Sequence, residues 1–297
     1  MRYALFLGCT IPVRGQHYEL SARKVAERLG VELVDVPGMD CCGFPVKSVS
    51  WEASLVFSAK NLALAEREGL PLCSLCNACT VTLVEANHIL KHDPELLEKV
   101  NSYLARLDLK YNGTVEVKHF ARILYEDVGL ERIKESVVKP LEGISVASHY
   151  GCHYLKPSEV YDHFDNPEHP YTLDELVELS GASAMDYSTK MLCCGGAILG
   201  VREDIALKMT KKKLDEVKGK GADALISICP FCSVMYEGNQ KKIEKNFEVT
   251  YKLPVLYYPQ LLGLALGISP DELGFKLNRV KAKDLLAKVS DEQGTAE

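Results

Sequence analysis

The sequence predicts an α/β protein of two pseudo-symmetric halves, each a small parallel sheet flanked by helices. Two observations carry that expectation. Short apolar runs alternate with amphipathic helical patterns along the chain. A cysteine pattern is also written twice: Cys9, Cys41-Cys42-Gly43 and Cys76-Asn77-Ala78-Cys79, then Cys152, Cys193-Cys194-Gly195 and Cys229-Pro230-Phe231-Cys232. The gaps between these elements are 31 and 33 residues in the first copy and 40 and 34 in the second. The flanking segments correspond too: FLGCTIP with SHYGCHYLKP, MDCCGFP with MLCCGGA, PLCSLCNACTVTL with ALISICPFCSVMY, VEVKHFARIL with PVLYYPQLLGLAL.

Taken in order, YALFLG, VELVDV and LPLCSL read as strands ahead of Cys9, Cys41 and Cys76. ISVASHY, SAMDYS and DALISI hold the same places in the second half. Helical periodicity follows at Tyr18–Leu29, Trp51–Glu66, Thr80–Lys91, Glu203–Lys218 and Ser233–Phe247, with a further helix at Asp93–Leu107. The apolar segment PQLLGLALGI reads as a core helix, and the last ten residues, KVSDEQGTAE, as a frayed tail. The junction falls near Lys139-Pro140-Leu141, giving an N-terminal half of residues 1–140 and a C-terminal half of residues 141–297. Each is expected to be Rossmann-like. Ligands of open α/β sheets bind beyond the carboxyl ends of strands, and every cysteine element here follows a strand. Folding is therefore expected to gather five thiols per half onto one rim.

The bulk properties exclude several classes. The formal charge is −6, so nothing draws the whole chain to nucleic acid or an anionic membrane. No stretch approaches the apolar length of a membrane span. The N-terminus lacks a cleavage-site pattern, and a cytoplasmic protein is expected. Clustered cysteines in that compartment read as ligands or redox centres rather than structural disulfides.

Thiolates are soft ligands suited to zinc, copper(I) and iron–sulfur clusters. Five per half is one more than a tetrahedral ion or a cubane cluster needs. Adjacent cysteines diverge on an extended backbone, and Gly43 and Gly195 would let the loop curl round a large object. A multi-iron cluster fits better than a single ion. Zinc in one half, a thioredoxin-like pair or a strained vicinal disulfide are the competing readings. Cys73 lies inside LPLCSL, has Ile226 as its counterpart, and reads as a small buried hydrophobe.

The doubled Cys…Cys-Cys-Gly…Cys-x-x-Cys pattern resembles the CCG-domain proteins, and among them the B subunit of the CoB–CoM heterodisulfide reductase of methanogenic archaea. The likeness runs from Arg2 to Leu266 and rests most on LGCTIP, YGCHYLKP, DCCGFP and LCCGGA. It implies reduction of the mixed disulfide of coenzymes M and B to two thiols, the last step of methanogenesis. It implies two [4Fe-4S] clusters of non-cubane form, one on Cys9, Cys41, Cys42, Cys76 and Cys79, the other on Cys152, Cys193, Cys194, Cys229 and Cys232. Implied partners are an iron–sulfur C subunit and a flavin-bearing A subunit, which meets a hydrogenase or formate dehydrogenase. The sequence has neither the C-x-x-C-x-x-C-x-x-x-C-P run of ferredoxins nor a G-x-G-x-x-G fingerprint, so a separate electron donor is required.

Splitting a disulfide takes two electrons and two protons, and clusters pass electrons singly. Two clusters facing a shared cavity, each taking one substrate sulfur, would avoid a stranded sulfur radical; a pure relay role is the alternative. His153, directly after Cys152, is the candidate general acid, with a structural hydrogen bond as the competing role. Its counterpart is Thr10. His119 is a weaker candidate, and His149 is expected within a strand. The coenzymes are anionic if the resemblance holds. Arg14, Lys47, Lys156 and Arg202 are candidate substrate contacts, with solvated surface charge as the default. Gly195 and Gly196 could present backbone N–H groups to an anion. Related proteins of lactate or glycolate, succinate, thiol:fumarate and sulfur-oxidising systems supply a second reading, electron transfer without disulfide cleavage. A non-catalytic zinc scaffold is a third.

Overall fold

A computed structural model describes residues 1–291 of the chain. Among the described residues, eight strands form two four-stranded sheets. The first contains β1 (Arg2–Phe6), β2 (Glu32–Asp35), β3 (Leu72–Ser74) and β4 (Val117–His119) in the order β2-β1-β3-β4. The second contains β5 (Ser145–His149), β6 (Ser183–Ala184), β7 (Ala224–Ser227) and β8 (Val255–Tyr257) in the order β6-β5-β7-β8. All pairings are parallel. Parallel neighbours need crossover connections, and the helices supply them. The two α/β halves expected from the repeat are thus present, one sheet in each.

Register makes the correspondence hold residue by residue. Ala4 pairs with Leu72 as Ala147 pairs with Leu225. Ser74 meets His119 as Ser227 meets Tyr257. Phe6 therefore matches His149, and Cys73 matches Ile226. The strand order reverses between β1 and β3, and again between β5 and β7. A crevice opens at the carboxyl ends of such neighbours, because their connections leave on opposite faces.

The helices follow the sequence pattern with informative shifts. The long ones are Gln16–Arg28, Trp51–Arg67, Asn77–His92, Pro94–Leu104 and Glu203–Gly219. The segment expected as Ser233–Phe247 begins at Pro230, passes through a π-helical turn at Val234–Gly238, and resumes over Gln240–Phe247. SAMDYS contributes only Ser183 and Ala184 to the sheet. The chain leaves the edge there because the Tyr187 ring turns inward, its hydroxyl donating to Ser148 O at 2.7 Å. Part of the expected tail is ordered: Lys283–Asp291 is a helix, anchored by Leu285 and Val289 in the core. Residues 292–297 lie outside the described residues.

The halves share buried apolar surface. The helix Gln16–Arg28 packs on the core helix Tyr258–Ala265, and Tyr18 stacks on Tyr257 with ring centroids 4.0 Å apart. Tyr18 Oη donates to Ile228 O at 3.1 Å, Asn77 Nδ2 to Tyr150 O at 2.7 Å, and Arg28 to Leu266 O at 2.8 Å. Burial of two tyrosine rings at about 25 cal/mol per Å² stabilises this seam more than its individual hydrogen bonds do.

Candidate metal centre

Each cysteine element is placed by a local backbone rule. Cys76 and Cys229 are N-caps of helices, so the second cysteine of each C-x-x-C falls on the first turn. The partial positive charge of a helix N-terminus favours thiolate there. The Cys-Cys-Gly loops turn on Gly43 and Gly195, at φ +95° and +84°. A Cβ on Gly43 would lie 2.8 Å from Ser54 O, and one on Gly195 2.8 Å from Ala206 O. Ser58 and Thr210 hold the two loops alike, each hydroxyl donating at 2.8 Å to the carbonyl of Cys42 or Cys194.

Each loop also turns two backbone N–H groups onto its own sulfurs. Gly43 N donates to Cys41 Sγ at 3.4 Å and Phe44 N to Cys42 Sγ at 3.5 Å. Gly195 N and Gly196 N donate to Cys193 and Cys194, both at 3.4 Å. The N–H groups of Gly195 and Gly196 thus face cysteine sulfur.

Eight thiols act on one another's acidity in a continuous series: Cys42, Cys79, Cys76, Cys229, Cys232, Cys194, Cys193 and Cys152. The run crosses the seam at Cys76 and Cys229. Cys41 feels Cys42 and Cys9 electrostatically, and Cys9 is exposed beside Thr10 Oγ1 at 3.8 Å. These interactions split the thiols by acidity. Cys42 is lowered to about 7, first by the hydrogen bond from Cys79. Cys193 is held low by Cys152 and Cys194, and Cys229 by Cys232 and Cys76. Cys79 and Cys232 are pushed up as the donors, and by burial.

A cavity of about 530 Å³ opens on this run, walled by Cys9, Cys42, Cys76 and Cys79 of the first half and by Ala197 and Phe231 of the second. Among the described residues, no three or more His, Cys, Asp or Glu are grouped around a single ion. A soft, all-sulfur donor set beside a space of that size fits a polynuclear group better than one ion. Unpartnered buried polar atoms at Asn77 Oδ1, His149 Nε2, His153 Nδ1 and Tyr236 Oη add unspent hydrogen-bonding capacity in the same loops and elements.

The remaining candidates divide. His153 packs edge-on against Phe44 of the cavity wall, ring centroids 5.7 Å apart, so the second half's histidine reaches the first half's site. Lys47 also lines the cavity and pairs with Glu85. Arg14 is exposed at the end of a short helix, Lys156 pairs with Glu168 at 3.0 Å, and Arg202 pairs with Asp204 at 3.0 Å. His119 is spent on the seam: Nε2 bonds to Ile228 O at 2.9 Å, Nδ1 accepts from Ala121 N at 3.1 Å, and burial lowers its pKa to about 4. Cys73 is wholly buried in β3, and burial pushes its thiol up. Sequence reasoning missed Asn77, Phe44 and Phe231, which shape the cavity and seam, and Lys213, which lies behind the second site. Lys213 has a periodic signal: it falls on the buried face of its helix with Ala206, Thr210, Leu214 and Val217.

Fold and site together define a class: a duplicated parallel α/β protein whose paired strand-end loops form a joint thiol site across the seam. The chain belongs to the cysteine-rich CCG domain family, which matches residues 3–84 and 146–237. It is 39% identical over 292 residues, 97% of each chain, to the B subunit of the ferredoxin/F(420)H(2)-dependent CoB-CoM heterodisulfide reductase of Methanosarcina acetivorans. It is 33% identical to the 8-methylmenaquinol:fumarate reductase membrane anchor subunit of Wolinella succinogenes, over 95% of this chain and 98% of that one. A hypothetical protein from Helicobacter pylori has the same fold, with a TM-score of 0.76 at 22% identity over 94% of this chain and 52% of that one. Among the described residues no helix is long and apolar enough to cross a membrane.

Proposed function

We propose that the chain is the disulfide-reducing iron–sulfur subunit of a multi-subunit oxidoreductase, acting on the heterodisulfide of coenzymes M and B. The observation that carries this reading is the run of thiols across the seam, together with 39% identity over 97% of the chain to a heterodisulfide reductase component. Cys9, Cys41, Cys42, Cys76 and Cys79 would hold one non-cubane [4Fe-4S] cluster, and Cys152, Cys193, Cys194, Cys229 and Cys232 the other. When bound, these clusters supply electrons one at a time.

The chain's own residues do the rest. The cavity seats the disulfide against the first thiol site, with Ala197 and Phe231 of the second half completing its largely apolar wall beside Phe44. The overall change adds two electrons and two protons and breaks one S–S bond, giving two thiols. His153, beside Phe44, delivers one proton to a leaving thiolate. Lys47, in the cavity lining and paired with Glu85, attracts an anionic end of the substrate, while Arg14, Lys156 and Arg202 lie exposed outside the cavity lining as steering charges. Electrons come from a partner iron–sulfur subunit, itself served by a flavin-bearing subunit that meets a hydrogenase or formate dehydrogenase, with the assembly in the cytoplasm.

A second reading, electron transfer without disulfide cleavage, is favoured by the fumarate reductase relative. Anaerobic protein given a one-electron dye and the heterodisulfide separates the two. Release of two thiols per disulfide supports the first. Dye oxidation by a quinone, with the disulfide inert, supports the second. His153→Ala with full iron and unchanged turnover would remove His153 from the mechanism.

A further inference from the structure

The two sites are alike in backbone and unlike in charge. The helix behind the first Cys-Cys loop carries Ser58 and then Asn61; the helix behind the second carries Thr210 and then Lys213. Asn61, wholly buried, donates to Cys41 O at 3.0 Å and accepts from Asp40 N at 3.0 Å. Lys213, equally buried, donates to Lys190 O at 2.7 Å and lies 2.9 Å from His149 Nδ1. The strand beneath differs in step: Phe6 stands where the second half has His149. Aromatic faces complete the enclosure, with Lys213 Nζ 5.5 Å from the Tyr187 ring centre and 5.8 Å from that of Tyr236.

Burying a lysine is costly and must be matched by something nearby. No carboxylate bonds to Lys213 Nζ; its partners are a carbonyl and an imidazole. Burial brings Lys213 down to about 7, opposed by the nearby thiols Cys232, Cys194, Cys152 and Cys193. In the first half, the acidic side chain beside Cys41 is Asp40, itself paired with Lys60 at 2.5 Å, so no lone buried cation stands behind that site.

The geometry points to Lys213 as a buried cation that makes the C-terminal thiol site the more easily reduced of the two, so that it accepts the first electron. Lys213 is a positioning residue for charge, held by His149 and the two tyrosine rings. The inference rests on the reading that both sites hold iron–sulfur clusters. One-electron reduction adds one negative charge to a site, which favours the protonated form of a lysine beside it, and that buried ammonium lowers the energy of the reduced state across a low-dielectric gap.

The test is an anaerobic redox titration with dithionite, followed by EPR, alongside iron and sulfide analysis. Signals are assigned to each site with Cys79→Ser and Cys232→Ser. Wild type is expected to show two midpoint potentials, the higher in the C-terminal site. Lys213→Asn, which installs the first half's residue, is expected to keep its iron and to shift the C-terminal potential downward, leaving the N-terminal one in place. Lys213→Arg is expected to stay near wild type. A C-terminal potential unmoved in iron-replete Lys213→Asn overturns the proposal. If Lys213→Asn loses iron, Lys213→Met, which keeps the buried stem, is measured beside Lys213→Arg. Iron lost in Met but kept in Arg shows that the site needs the cation and supports the proposal; iron lost in both makes Lys213 a packing residue and overturns it. Wild type without iron at either site would remove the reading beneath the inference, a result distinct from any of these.

Discussion

The thiols of Cys76 and Cys229 act on each other's acidity across the seam between the halves, each at the N-terminus of its own helix. That proximity links two sites that lie far apart in sequence. Cys76→Ser and Cys229→Ser are each expected to remove about half of the iron and acid-labile sulfide while leaving the fold intact. Metal analysis with circular dichroism checks this. Full iron in either variant would exclude that cysteine as a ligand.

Gly43→Ala and Gly195→Ala should behave alike. Both positions have positive φ, and both would force a Cβ to 2.8 Å from a backbone carbonyl oxygen that cannot move freely. A cost of about 2 kcal/mol or more is expected at each, from strain and displacement of the loop. Urea unfolding of the anaerobic proteins measures it, and iron content should fall in the affected half first. A cost under about 0.5 kcal/mol at either glycine would contradict the turn geometry.

Cys73 is expected to be silent in metal analysis. It is buried in β3 where the matching strand carries Ile226. Cys73→Val should keep all iron and change stability by less than about 1.5 kcal/mol. Cys73→Ser should cost about 1–3 kcal/mol by burying a hydroxyl, again with all iron retained. Iron lost from the valine variant would make Cys73 a ligand.

Acid should act through buried histidine. Burial lowers His17 to about 4, and its Nε2 has no partner. A histidine with a depressed folded pKa binds its proton more readily in the unfolded chain. Stability is therefore lost as pH falls from about 6.5 towards 4, by up to about 1.4 kcal/mol per pH unit for this one group. His17→Phe should remove that part of the slope. The difference between the two proteins in urea midpoint, followed from pH 7 to pH 4.5, isolates it from acid effects shared by both. Parallel curves would mean that His17 is solvated when folded.

Much of this was legible in the sequence. The duplicated cysteine spacing and the strand-before-cysteine order place all ten cysteines at strand ends, and six of the eight strands coincide with apolar runs ahead of them. Edges were less legible. Ser183–Ala184 is two residues long because Tyr187 finds a buried carbonyl and draws the chain off the sheet. The helix Lys283–Asp291 escaped notice because its two anchors, Leu285 and Val289, sit among charged residues. Lys213 was hidden for a related reason. It stands in a run of three lysines, and only the tertiary fold shows which of them turns inward.

The series of neighbouring thiols also bears on how the chain must be assembled. Before any inorganic group arrives, each of these eight reduced thiols has at least one thiol neighbour, and oxidation could join neighbours in more than one way. Most of those pairings would staple the two halves together incorrectly or distort the loops on Gly43 and Gly195. Cofactor insertion thus races against air, and a batch matured under oxygen should hold a mixture of covalent isomers that no later addition of iron and sulfide rescues without a reductant.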